Sequence, residues 1–194
     1  MKKISLIMLF MTAAVSIAII ACNSKPVETT GKVQISQDSL VRLGSYLVNS
    51  MGCDDCHSPK TFGPNGPELI ADQRFSGHHA DTPLPKVDTV NAKKGWVLFA
   101  PDLTAAVGPW GMSFSANISS DQTGIGNWTE EQFFRAIREG KSKGLRETRP
   151  LLPPMPWAQY RNLKDDDLRA IFAFLKSTKP VENRVPEWKK WNEL

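Results

Sequence analysis

Three stretches of the chain carry apolar residues at helical spacing. The first runs from about Asp38 to Met51, where Leu40, Leu43, Leu47, Val48 and Met51 share one face with Gly44. Asp38 is placed to cap its start and Gly52 to end it. A glycine in a helix interior costs up to about 1 kcal/mol, so Gly44 predicts close approach by another helix. The second spans Glu130 to Glu139. Thr129-Glu130-Glu131-Gln132 is a capping-box pattern, Phe133, Ala136 and Ile137 form the inner face, and Gly140 is a stop. The third covers about Asp165 to Ser177. Asp165, Asp166 and Asp167 favour the positive end of the helix dipole. Leu168, Ile171, Phe172 and Leu175 line one face, and Pro180 lies just beyond. Phe172 and Phe174 are the aromatic candidates to cross at Gly44.

Between the first two helices, Ser58 to Trp128 is rich in Gly, Pro, Asn and Asp and shows few periodic signals. Trp96-Val97-Leu98-Phe99 reads as a short strand. A connection of this length folds locally or wraps the body, because structureless loops so long are uncommon. There is no internal repeat.

Ahead of the helices, Lys2 and Lys3 precede Ile4–Ala21, which holds no charge. A basic start followed by an apolar run predicts an export signal. Ile19-Ile20-Ala21-Cys22 resembles a bacterial lipobox, which places cleavage before Cys22 and a lipid on its thiol. An uncleaved membrane helix is the competing reading, since the run approaches the roughly 20 residues that span a bilayer. Both leave the rest exported and tethered. The expected organisation is a lipoprotein signal peptide over 1–21, a flexible polar tether over 22–37, and one domain over 38–194.

The chemistry concentrates at Cys53-Asp54-Asp55-Cys56-His57, the C-x-x-C-H pattern of haem attachment. Two thiols on one turn can add across the two vinyl groups of a haem, and the next residue, His57, falls under the iron as an imidazole ligand. With Cys22 lipidated, all three cysteines are used. A thioredoxin-like redox pair lacks its βαβ context, and a structural zinc site lacks a second ligand pair. One C-x-x-C-H predicts one covalent haem c. For the sixth ligand, Met155 in Pro153-Pro154-Met155-Pro156-Trp157 is favoured, because the prolines restrict the backbone around its thioether. Met112, in Gly108-Pro109-Trp110-Gly111-Met112, and the His78-His79 pair are the alternatives. Met51 lies too close to Cys53 to reach the opposite haem face.

These stretches form an ordered set. Gly44-Ser45-Tyr46-Leu47-Val48 leads into Gly52-Cys53 and Cys56-His57. Asn117-Ile118-Ser119 and Gly124-Ile125-Gly126-Asn127-Trp128-Thr129-Glu130-Glu131-Gln132-Phe133 follow. Pro153-Pro154-Met155-Pro156-Trp157 and Asp167-Leu168-Arg169-Ala170-Ile171-Phe172-Ala173-Phe174-Leu175 complete it. The chain resembles class I monohaem c-type cytochromes, and within them the membrane-bound cytochromes that accompany periplasmic dehydrogenases. The resemblance implies an all-α cytochrome c fold, helices packed around one haem. It implies Cys53 and Cys56 as thioether anchors and His57 and Met155 as axial ligands. It also implies that a proline carbonyl soon after the motif, of Pro64 or Pro67, orients the His57 ring. The long connection departs from the small members. The implied function is one-electron transfer between redox proteins on the dehydrogenase or terminal-oxidase side, without catalysis by the chain itself. The implied location is the periplasmic side of a bacterial membrane, held there by the lipid on Cys22. A haem-based ligand sensor with a labile sixth position is the alternative of a different class, and a haem peroxidase a further one.

Composition narrows the rest. The 194 residues are 41% hydrophobic and 23% charged, enough for a packed core. The net charge is +4, falling to +2 (22 basic minus 20 acidic) if Lys2 and Lys3 leave with the signal, which is too little to argue for nucleic acid. Arg135, Arg138, Lys141, Lys143, Arg146 and Arg149 face only Glu139 and Glu147 locally. This patch reads first as a solvated face, and second as steering toward an acidic partner or pairing with haem propionates. No nucleophile–base pair, phosphate loop or paired-carboxylate site stands out.

Overall fold

A computed structural model describes residues 35–194. Cys22, the signal and most of the tether fall outside the described residues. The first helix, α1 (Gln37–Ser50), begins one residue earlier than the pattern predicts, because Ser36 and not Asp38 is the cap: its hydroxyl accepts the Ser39 amide at 3.2 Å. A one-turn helix, α2 (Cys53–His57), follows directly. The second periodic segment is α4 (Glu130–Glu139), with the Thr129 hydroxyl accepting the Gln132 amide at 3.1 Å. A short α5 (Trp157–Tyr160) leads into α6 (Asp165–Lys176).

α1 and α6 cross at Gly44. A Cβ built on Gly44 would stand 2.5 Å from the carbonyl carbon of Ala170 and 2.7 Å from Phe174 Cβ, with the Ala170 oxygen nearer still. Of the two aromatic candidates, Phe174 takes the crossing. Phe172 points to α4 and stacks on Phe133, ring centres 5.1 Å apart. The main core joins Val48 of α1, Phe133 of α4, and Leu168, Ile171 and Leu175 of α6 with Phe75 and Ile125 from the connection. Arg169 of α6 reaches Glu130 of α4 at 3.1 Å.

The all-α expectation needs correction: the connection carries two small antiparallel sheets. β1 (Lys60–Gly63) and β2 (Gly66–Leu69) make a hairpin turned at Pro64-Asn65. A five-residue helix, α3 (Thr89–Lys93), capped by Asp88, precedes a meander of β3 (Leu98–Phe99), β4 (Ala105–Gly108) and β5 (Gly111–Phe114). β3 falls within the Trp96–Phe99 segment read as a strand. β4 is central and fully buried, and its run of Ala, Ala, Val and Gly has neither the alternation nor the β-branched content that marks a strand in sequence. Met112 of β5 packs with Ala92 and Val107 in a second apolar cluster. The C-terminal tail closes over this sheet: Met112 pairs with Lys189, and the Trp188 indole donates to Trp110 O at 2.8 Å. Among the described residues no helix is long and apolar enough to cross a membrane.

Candidate cofactor site

Gly52, in the left-handed region at φ +69°, breaks α1 and starts α2, so Cys53, Cys56 and His57 share one helical turn. All three are half-buried, and both cysteines are free thiols. Cys53 packs on the main core beside Leu47 and Met51. Burial, with Asp54 adding to it, pushes the Cys53 thiol up to about 11, and burial and Asp55 raise Cys56 as well. Burial thus disfavours the thiolate, the form that thiol–disulfide exchange uses.

The His57 ring is fixed by a backbone carbonyl: Nδ1 lies 2.7 Å from Ala116 O. A carbonyl only accepts, so Nδ1 carries the hydrogen and Nε2 presents its lone pair outward. Burial holds the imidazole below its usual pKa against the opposing effects of Ala116 and Asp54. The neutral ring is the form that binds metal. The proline-carbonyl expectation is therefore corrected. Pro64 sits in the exposed tip of the β1–β2 hairpin and Pro67 in exposed β2, and the orienting oxygen arrives instead from far along the chain, just after β5.

The turn itself is locked from outside. Burial works against the Asp54 carboxylate, but Arg74, Ser58 and Lys60 outweigh it and hold its pKa below the ordinary carboxylate value. Arg74 Nη2 reaches Asp54 at 2.6 Å and Asn49 at 2.6 Å. Ser58 Oγ donates to Asp54 at 2.7 Å and accepts the Phe75 amide at 2.9 Å. The Lys60 ammonium caps the end of the turn through the carbonyls of Asp54, Asp55 and Ser58 at 2.7–3.2 Å.

Met155 is half-buried in the loop between α4 and α5. That loop is pinned at several points. Leu151 N donates to Gly140 O at 2.6 Å, Ser113 Oγ donates to Pro153 O at 2.7 Å, and the Trp157 ring lies against Gly140. Tyr160, at the end of α5, donates to Met51 O at 3.0 Å. That bond ties α5 to the residue two before Cys53, and burial, with Cys53 and Cys56 adding to it, raises the Tyr160 hydroxyl. The alternative ligands are engaged elsewhere. Met112 is 6% exposed in the second cluster. His78 is 1% exposed, stacked on Phe114 and bonded through Nδ1 to Thr104 Oγ1 at 2.7 Å. His79 Nε2 meets Ser76 Oγ at 2.8 Å.

The donor set fits a covalently held haem: two thiols and an imidazole, presented as a neutral ring with a defined tautomer, share one turn. Leu47, Met51, Ile118, Trp128 and Phe172 pack half-buried on the same core as Cys53, so the turn adjoins an apolar body. The basic patch is mostly paired within the fold. Arg135 bonds Glu131 and Gly144 O, Arg138 bonds Asp165 and Arg161 O, and Lys143 reaches Glu187 at 3.2 Å. This favours the solvated-face reading over steering. Sequence reasoning missed Ala116, Arg74 and Tyr160. Ala116 acts through its main chain and leaves no signal, whereas the Asp54-Asp55 pair inside the motif hinted at a cationic partner.

No family model matches the chain. It is 40% identical over 83 residues to the cytochrome c subunit of the quinone alcohol dehydrogenase of Gluconobacter oxydans, 41% of this chain and 17% of that subunit. It is 38% identical over 82 residues to the fructose dehydrogenase cytochrome subunit of Gluconobacter japonicus, 41% of this chain and 16% of that one. It is 29% identical over 148 residues to the gluconate 2-dehydrogenase cytochrome c subunit of Pantoea cypripedii, 75% of this chain and 25% of that one. The resemblance to cytochromes that accompany dehydrogenases is thus borne out by relatives that are cytochrome subunits of such enzymes. The chain spans a quarter or less of each relative's length.

Proposed function

We propose that this chain is a one-electron carrier, a class I cytochrome c with a single haem c. The haem is attached to Cys53 and Cys56 and ligated by His57 and Met155, and the carrier is held by lipid on Cys22 at the periplasmic face of a bacterial membrane. The observation that carries the reading is the α2 turn: two thiols and an imidazole whose Nδ1 is already committed to Ala116 O. When bound, the haem supplies a reversible one-electron couple. The chain's residues do the rest. His57 presents Nε2 in a fixed plane, because Ala116 O leaves the ring one orientation. Met155, in a loop tied to Gly140 and Ser113, would supply a thioether as the second protein ligand to the iron. With His57 and Met155 both holding the iron, no position on it would remain for a substrate. Core residues around Phe133, Phe172 and Leu168 keep water from the attachment side, which limits reorganisation on electron transfer. The chain passes electrons and transforms no substrate itself. Its partners are redox proteins, foremost a dehydrogenase subunit, as the relatives' names suggest, and it has no nucleic-acid role.

The test is Met155→Ala. The oxidised wild-type protein should show the weak red charge-transfer band of a thioether–iron bond, and the variant should lose it and bind carbon monoxide when reduced. A reduced wild-type protein that binds carbon monoxide at neutral pH without lag would instead mark an open sixth position and a ligand sensor.

A further inference from the structure

The carbonyl that orients His57 belongs to a strap, residues 115–119, held by the segment just after Arg74. Phe75 O accepts Ile118 N at 2.8 Å and Ser119 N at 3.1 Å, and His78 N donates to Ser115 O at 3.0 Å. Between these bonds lies Gly77, whose amide donates to His57 O at 2.8 Å. Gly77 has φ +74°, and a Cβ there would stand 2.5 Å from Ala116 C and 2.7 Å from Ala116 O. The same backbone segment thus touches the histidine and the carbonyl that orients it.

Both segments are gripped by the C-terminal tail. Asn183 is 9% exposed, and its Nδ2 donates to Ser76 O at 2.8 Å and His78 O at 3.0 Å, the two carbonyls that flank Gly77. From the other side, the Asn117 amide donates to Val181 O at 2.8 Å and Asn183 O at 3.3 Å. Asn183 N donates to Thr123 Oγ1 at 2.9 Å, which in turn bonds Asp121 at 2.6 Å. One tail residue therefore joins the segment carrying Gly77 to the residue next to Ala116.

We propose that Asn183 is a positioning residue for the proximal ligand: by clamping the Ser76–His78 segment and the Ala116 strap together, it holds Ala116 O on His57 Nδ1 and so sets the reduction potential of the bound haem. This rests on the carrier reading above. A hydrogen bond from Nδ1 makes the imidazole a stronger donor to iron and favours the oxidised state. Loosening the clamp weakens that bond and raises the potential.

The experiment compares the full haem-loaded protein with Asn183→Ala and Gly77→Ala, and with Thr129→Ala as a control that weakens a helix cap whose side chain bonds only the Gln132 amide. Asn183→Ala should raise the reduced-to-oxidised ratio at fixed ambient potential by about threefold or more, and speed solvent exchange of the His57 Nδ1 proton in the reduced protein by about tenfold or more. Gly77→Ala, which pushes on Ala116 directly, should move both readings the same way. Thr129→Ala should lower thermal stability and move neither. An Asn183→Ala protein that loads haem with wild-type potential and exchange overturns the clamp, and if that variant does not mature, unchanged readings in Gly77→Ala do so. A wild-type protein without haem would instead sink the carrier reading, and Nδ1 exchange in that protein would still test the clamp.

Discussion

Gly44→Ala tests the helix crossing on which the attachment turn is built. In a free helix the change is favourable by about 1 kcal/mol, since alanine is the better helix former. Here the new methyl meets the Ala170 carbonyl and Phe174 Cβ, the latter at 2.7 Å where ordinary contact needs 3.4 Å or more. Neither obstacle can rotate away: one is helix backbone in a residue fully buried, the other the first atom of its side chain. α1 must therefore lift from α6, opening the core at Val48, which is 0% exposed. Overpacking of this kind costs typically 1–3 kcal/mol, and rigid backbone neighbours put it at the upper end or above. Subtracting the propensity gain leaves a net loss of about 2 kcal/mol, or a fall in Tm of roughly 4–8 °C for a body of this size. Thermal unfolding followed by far-UV circular dichroism measures it, with exposed Ser50→Ala expected within about 0.5 kcal/mol of wild type. A Gly44→Ala protein as stable as wild type, or more so, would refute the crossing.

Three further outcomes follow from the same geometry. Because the folded-state pKa of Asp54 is depressed, its contribution is present above the unfolded value of about 3.9 and is lost as pH falls through the folded one. Asp54→Asn should thus cost about 1–2 kcal/mol at pH 7, discounted for the partial exposure of Arg74, and the gap between the two proteins in urea titrations should begin to narrow only below about pH 4. Leu168→Ala should cost about 2–5 kcal/mol in urea unfolding, because the side chain is 1% exposed among α1, α4 and α6. Tyr160→Phe should lose about 1 kcal/mol through the orphaned Met51 carbonyl, and equal stability would remove that tie between α5 and the attachment turn.

The helices were legible because each buries one stripe, and burial of a stripe leaves a 3.6-residue period in the sequence. Their ends were less so: Ser36 and Asp38 are both good caps, and only the path of the chain decides between them. The turn that brings Cys53, Cys56 and His57 together was legible because those side chains stand at a fixed spacing. The connection was not. β4 is built from small residues whose burial depends on strands and a tail far away in sequence, and the hairpin of β1 and β2 is short and mostly exposed. The orienting group of His57 is the clearest case. A main-chain oxygen has no residue type, so nothing at Ala116 distinguishes it, and its position is set by Gly77, Asn117 and Asn183, which meet only in the fold. The basic patch shows the converse: conspicuous in sequence, it is mostly absorbed by Glu131, Asp165, Glu187 and nearby carbonyls.

The central claim is that a haem is bound covalently through Cys53 and Cys56. Intact-mass measurement of the denatured protein, expressed with haem-attachment machinery, tests it most directly. The mass should exceed that of the processed polypeptide by one haem, and the Cys53→Ala/Cys56→Ala double variant should lack the increment. A wild-type mass with no addition, or the same addition in the double variant, would contradict the account.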